Sequence, residues 1–397
     1  MHFSKKALAI SPSPTLKVTA LEKEMLSNGK DVIGFGAGEP DMDTPEYIKQ
    51  AAKEALDRGF TKYTPASGTM DLKKAVAARL KRKYGLAYEP AQIVISNGAK
   101  HSLFNTFQAI LNPGDEVIIV SPFWVTYPEL VKMADGVPVY VEAAEGNNFE
   151  PKLQDIAEAI TEKTVAIIVN SPSNPCGCLY SAETLAGIAG LANKHDLYVV
   201  ADEIYDELTY GKTHVSFPTL SEDAYSRTIL VNGLSKAYSM TGWRMGYTAS
   251  SKELAKIMDS YQSHATSNPS SITQYASVVA LNGPQEDLAA MVAEFEQRRD
   301  MMVELIGKMK GVSCVKPEGA FYVMLDITGV IGKKCGEKTI AGSLDFTELL
   351  LEKSLVAVVP GIAFGADRFV RLSYATSRQN IQKGLGRIAA FVEGLED

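Results

Sequence analysis

From about residue 90 onward, short apolar runs alternate with longer amphipathic ones. The apolar runs cover residues 93–95, 116–120, 137–141, 165–170, 197–201, 228–232 and 245–249. They are brief, rich in β-branched residues and almost continuously hydrophobic, the pattern of strands covered on both faces. Between them lie stretches of helical period, at 99–111, 153–161 and 182–195. Strand and helix in regular alternation predict an α/β fold with a mostly parallel sheet of seven strands. Asn112-Pro113-Gly114-Asp115 supplies the stop and turn before the second strand.

After Leu281-Asn282-Gly283-Pro284 the texture changes. A long charged helix over 286–310 leads to strands near 312–314, 320–325 and 369–374, and an amphipathic helix over 379–392 follows. This reads as a smaller α+β domain. The first forty residues hold a helix over 16–28 but little core of their own, so they are expected to pack against the small domain. The expected division is therefore an N-terminal segment (1–42), a large domain (43–284) and a small C-terminal domain (285–397). A single hydrophobic core stops growing well below this chain length, which agrees with two domains.

Charge and composition narrow the function. Acidic residues outnumber basic ones by 47 to 40, a net charge of -7, which argues against a dedicated nucleic-acid surface. No apolar run approaches the ~18 residues that span a bilayer. The two lysines before Ile10 are followed by no apolar stretch, so no secretory signal is expected. Cys176, Cys178, Cys314 and Cys335 are too few and too irregular for a disulfide framework, and a reducing cytoplasm is the expected setting. Cys176-Gly177-Cys178 lacks further ligands at workable spacing, so the pair reads as inert thiols and no metal is expected.

Several nucleotide and hydrolase motifs fail on inspection. Gly34-Phe35-Gly36-Ala37-Gly38 resembles a dinucleotide loop, but Glu39 stands where the third glycine belongs. There is no phosphate-binding P-loop and no G-x-S-x-G elbow, and the five histidines form no triad-like spacing.

The informative stretch begins where the strand over 228–232 runs into Asn232-Gly233. Lys236 lies just beyond, at the carboxyl edge where open α/β sheets bind ligands. Burial beside cations lowers a lysine's pKa and makes its amine nucleophilic toward an aldehyde. Eight residues on, Arg244 offers a guanidinium fork suited to a phosphate dianion. Either residue alone reads as an ordinary surface group; the pair in this position does not.

Ser235-Lys236-Ala-Tyr-Ser-Met-Thr-Gly-Trp-Arg244 closely resembles the lysine motif of class I aminotransferases, pyridoxal-phosphate enzymes of fold type I. Three further segments match in the family's order: Asn170-Ser-Pro-Ser-Asn174-Pro-Cys-Gly, Asp202-Glu-Ile-Tyr205, and Arg371 in Phe-Val-Arg-Leu-Ser. The resemblance runs from about Ser11 to the C-terminus. It implies that Lys236 binds the cofactor's aldehyde carbon and later shuttles the substrate Cα proton. Asp202 would hold the ring nitrogen, and Asn174 and Tyr205 the ring oxygen. Gly98 and Ala99 at a helix N-terminus, Ser235 and Arg244 would hold the phosphate. Trp124 would stack on the ring and face the substrate, as would Asn174. Tyr63 would reach the phosphate of a neighbouring subunit, making the working unit a homodimer. One departure concerns Gly233, where many relatives carry a hydroxyl that binds phosphate.

On the substrate side, Arg371 would clamp the α-carboxylate and Gly38 would permit close backbone approach. The segment 263–271, where one branch of the family places an arginine for a distal carboxylate, contains none. The chain instead resembles a bacterial branch in which Lys100, with hydroxyls such as Ser13 and Thr15, serves that purpose. The expected activity is amino transfer from L-aspartate to 2-oxoglutarate in two half-reactions, with prephenate or an aromatic acceptor as the alternative. A pyridoxal-phosphate lyase shares the framework. A transcriptional regulator with such a domain would need a DNA-binding extension, which the ten residues ahead of Ser11 in an acidic chain are not expected to supply.

Overall fold

The computed structural model describes residues 2–12 and 14–397, with residues 14–17 and 19 described by their backbone alone. The seven expected strands form one sheet: β1 (Ile93–Ser96), β2 (Glu116–Ser121), β3 (Val137–Glu142), β4 (Thr164–Asn170), β5 (Tyr198–Asp202), β6 (Thr228–Gly233) and β7 (Gly246–Ala249). Their spatial order is β1-β7-β6-β5-β4-β2-β3. Only β7 runs antiparallel, to both β1 and β6; the remaining pairs are parallel.

Alternate residues of these strands enter two different cores. Ile118, Ile167, Val199 and Leu230 pack into one, and Val117, Ile119, Ile168, Val200 and Ile229 into the other. Helices such as Ala99–Ile110, Ala182–Lys194 and Ser271–Asn282 cover the faces. That double coverage explains why the strands read as unbroken apolar runs. Strand β3 departs from the expectation of burial: it closes one edge of the sheet, with Val137 45% and Tyr140 51% exposed. An edge strand has one neighbour, so its outer residues keep solvent contact, and Tyr140 stacks on Phe123 at 5.1 Å instead.

The second sheet is antiparallel, in the order β10-β11-β9-β8, from β8 (Ser313–Cys314), β9 (Tyr322–Asp326), β10 (Val359–Pro360) and β11 (Phe369–Ser373). The helices Glu286–Ile306 and Arg378–Glu393 pack on it through Phe295, Met302, Ile381 and Leu385. The first of these ends at Ile306, before the expected 310, and the chain turns through Gly311 in the left-handed region. Near the start of the chain, helix Pro14–Ser27 lies against β10. Ile33–Gly34 pairs in parallel with Val356–Ala357. Lys6 instead reaches the other side, bonding Asp135 beside helix Thr126–Met133 at 2.6 Å.

Candidate active site

Parallel strands end in step, so the segments that leave them converge along one edge of the sheet. Asn170 and Asp202 terminate β4 and β5. Trp124 follows β2 by three residues, and Lys236 follows β6 by three. Together with helix Ala99–Ile110 and residues of β9 and β11 they line a cavity of about 400 Å³. Gly38, Ala99, Lys100, Trp124, Asn174, Asp202, Tyr205, Ser235, Lys236, Arg244 and Arg371, all expected from sequence, meet in its wall.

Asp202 is buried and its carboxylate is fixed at both oxygens. Tyr127 Oη donates to Oδ2 at 2.8 Å and the Ile204 amide to Oδ1 at 3.3 Å. Desolvation dominates over these donors and raises its pKa to about 6. Lys236 Nζ donates to the Gly38 carbonyl at 2.5 Å. Burial pulls the amine's pKa down to about 8, opposed by Glu39 and reinforced by Arg371 and Arg244. The Tyr205 ring lies 6.0 Å from Nζ, and its hydroxyl shares a hydrogen bond with Tyr322 at 2.9 Å.

The wall around Gly98 and Arg244 is built by close backbone approach. Gly98 caps helix Ala99–Ile110 with φ 87, where a Cβ would come 2.4 Å from Arg244 Nη2. A Cβ on Gly246 would come 2.2 Å from the Ala99 amide nitrogen. Arg244 is held over this turn by the carbonyls of Thr241 (2.8 Å) and Asn97 (3.2 Å). The first-turn amides of a helix have no internal acceptor and carry the positive end of its dipole, so an anion fits there.

Arg371 sits mid-strand in β11 and is 2% exposed. It donates to Asn174 Oδ1 at 3.0 Å and to the Gly36 carbonyl at 2.9 Å, while its guanidinium stacks 4.4 Å from the Tyr322 ring. Among the described residues its Nε has no acceptor. Lys100 Nζ stands 5.0 Å from the Trp124 ring, and burial followed by repulsion from Arg244 lowers its pKa. Tyr63 is 91% exposed and is not brought into the cavity of its own chain. Ser13 and the side chain of Thr15 lie outside the described residues.

Sequence reasoning missed four contributors. Tyr127 supports Asp202, Asn170 donates to the Asp202 carbonyl at 2.9 Å, Tyr322 backs both Tyr205 and Arg371, and Glu39 lines the wall. Asn170 carried a usable signal, a polar side chain ending an apolar strand; the tyrosines read as core.

Comparison with known proteins agrees with this geometry. The family described as aminotransferase class I and II matches residues 30–388. The aspartate aminotransferase of Bacillus subtilis (strain 168) is 47% identical over 394 residues, 99% of each chain. The aspartate/prephenate aminotransferase of Cereibacter sphaeroides is 45% identical over 399 residues, 100% of each. Among solved structures, an aspartate aminotransferase from Rhizobium meliloti superimposes with a TM-score of 0.96 at 44% identity, covering 100% of both chains. The Thermus thermophilus aspartate aminotransferase with maleate gives 0.92 at 43% identity, covering 98% of this chain and 99% of that one. The chain belongs to the class I and II aminotransferases and is an enzyme that transfers amino groups.

Proposed function

We propose that the chain uses pyridoxal 5'-phosphate to move the amino group of L-aspartate to 2-oxoglutarate in two half-reactions. The observation that carries this reading is the convergence of Lys236, Asp202, Arg244 and Arg371 on one cavity. The residues fit the cofactor: a cradle at Gly98 and Gly246 that a Cβ would fill, a buried carboxylate, and an amine of lowered pKa. When bound, the cofactor supplies an aldehyde for an amine and a ring that withdraws electrons from the substrate Cα.

This chain's residues do the rest. Asp202, ionised above about pH 6, holds a proton on the ring nitrogen. Asn174 and Tyr205 face the ring oxygen. Ser235, Arg244 and the amides at Gly98 and Ala99 hold the phosphate, and Trp124 covers the ring. Arg371 binds the α-carboxylate, using the Nε that has no partner among the described residues, and Gly38 lets the backbone come close. Lys236 Nζ, whose pKa burial lowers to about 8, takes the Cα proton. Lys100 takes the distal carboxylate, with Ser13 and Thr15 as its expected helpers. Prephenate amination is the second reading, favoured by a relative named for both activities and by a lysine in place of an arginine at this position.

Tyr63, exposed in its own chain, would serve a neighbouring subunit in a homodimer. The N-terminal segment 1–42 and the small domain 285–397 would close over the large domain 43–284 and exclude water. No helix among the described residues is long and apolar enough to cross a membrane, and a cytoplasmic setting is proposed. The test is a single-turnover reaction of the cofactor-loaded enzyme with aspartate, glutamate, aromatic amino acids and arogenate. Fastest loss of the cofactor's aldehyde absorbance with aspartate is expected. Release of pyruvate and ammonia would instead identify a lyase.

A further inference from the structure

The Gly38–Glu39 step places a carboxylate in the cavity wall that the proposed chemistry leaves unused. Thr241 Oγ1 donates to Glu39 Oε2 at 2.6 Å, and among the described residues Oε1 accepts no hydrogen bond. One residue earlier, the Gly38 carbonyl accepts from Lys236 Nζ. A carbonyl and a carboxylate on successive residues, with a third residue fixing the carboxylate, make an acceptor set suited to an ammonium group. In this structure the chain's own amine uses the carbonyl member of the set, and Glu39 acts on that amine through its charge. The cavity's other carboxylate, Asp202, is already committed to Tyr127 and the Ile204 amide.

We propose that the Gly38 carbonyl and the Glu39 carboxylate, latched by Thr241, form an ammonium site. It holds the Lys236 amine when that amine is free. It receives the α-ammonium of the entering amino acid when Lys236 is engaged by the cofactor. The inference rests on the function proposed above. It also separates the two half-reactions. An amino acid presents a cation to Glu39, whereas a 2-oxo acid presents only carboxylates, which Glu39 repels. The groups facing the Lys236 amine are Glu39 and Asp202 on the acidic side, Arg371 and Arg244 on the basic side, and the Tyr205 phenol. Burial acts most strongly on that amine, and Glu39 is the strongest of the charges around it.

The first arm of the test uses the cofactor-loaded enzyme and Glu39→Gln, whose amide oxygen can still accept from Thr241. The aspartate concentration giving half the maximal single-turnover rate should rise about tenfold, the effect of one lost charge-assisted bond. Binding of succinate, which has both carboxylates and no ammonium, should change less than about twofold by calorimetry. Equal losses for both ligands, or no loss for either, would overturn the proposal. Thr241→Val, which frees the carboxylate without removing it, should show the same selectivity at smaller size.

The second arm uses cofactor-free protein and needs no turnover. Acetylation of Lys236 is followed against pH by peptide-resolved mass spectrometry. Loss of the carboxylate in Glu39→Gln should move the labelling midpoint to lower pH, and an unmoved midpoint would overturn the ammonium site. A wild-type enzyme that fails to convert aspartate would refute the proposed function, while this arm would still read the site itself.

Discussion

Along the ends of β4, β5 and β6 the chain satisfies its own charged groups. Asp202 has a donor at each oxygen, Asn170 bonds the neighbouring backbone, and the Lys236 amine has the Gly38 carbonyl. The part of the wall built by β11 and Lys100 is incomplete. Arg371 is just as buried, yet among the described residues its Nε has no acceptor, and Lys100 has the Trp124 ring beside it. A buried polar group left without a partner costs about 1–3 kcal/mol, so it persists where a ligand completes it. The paired wall suits a resident group held throughout the cycle. The unpaired wall suits a substrate that comes and goes.

Removing the reacting amine is the severest way to break this contrast. Lys236→Ala takes away the group proposed to carry the Cα proton. Single-turnover amino transfer from aspartate should fall by about 10⁴-fold. A loss below about tenfold would place the base elsewhere.

Asp202→Asn should separate function from stability. Activity should drop by about 10²- to 10³-fold, because the fixed charge proposed to face the cofactor ring is removed. The cofactor-free fold should gain. The Asp202 pKa is raised from 3.8 to about 6, so the folded state binds the proton more tightly than the unfolded state does. Its contribution is fully present below about pH 4 and is lost as pH rises through about 6. At pH 8 the penalty is about 3 kcal/mol, two pH units of linkage. Denaturant unfolding of cofactor-free protein should therefore find Asp202→Asn more stable than wild type at pH 8 and equal to it near pH 4.

Arg371→Ala should act on the other wall. Loss of a buried bidentate partner should lower kcat/KM for aspartate by about 10²-fold. Cofactor affinity, measured by equilibrium dialysis, should change far less. Comparable losses of both would erase the division between the walls.

Much of this was legible because double-sided burial writes itself into sequence: β1, β2 and β4 to β6 are apolar at successive positions since each face meets a core. Lys236, Asp202, Asn174 and Arg371 were legible through ordered motifs. The pairing of Ile33–Gly34 with Val356–Ala357 was not, because two residues carry no period and the partner lies more than 300 positions away. Tyr127 and Tyr322 were hidden for a chemical reason. Their rings are 2% and 0% exposed, so their sequence context is that of core aromatics, and only the hydroxyl partners reveal the site. Glu39 was passed over because it was weighed only as a missing glycine.

The smallest expected effect decides the most about substrate. Lys100 sits in the first turn of helix Ala99–Ile110 and lines the cavity with Arg244. Burial, and secondarily Arg244, lowers its pKa, so its charge should be lost at a less alkaline pH than that of an ordinary lysine. A lysine is a point charge on a flexible stem, and one partly exposed pair contributes about 1 kcal/mol. If that pair is with the distal carboxylate, Lys100→Ala should lower kcat/KM for aspartate about five- to tenfold relative to alanine or phenylalanine. The wild-type preference for aspartate should also decline toward alkaline pH, and the variant's should not. Equal losses with all three substrates would assign Lys100 to the phosphate and leave the distal carboxylate to residues of the N-terminal segment.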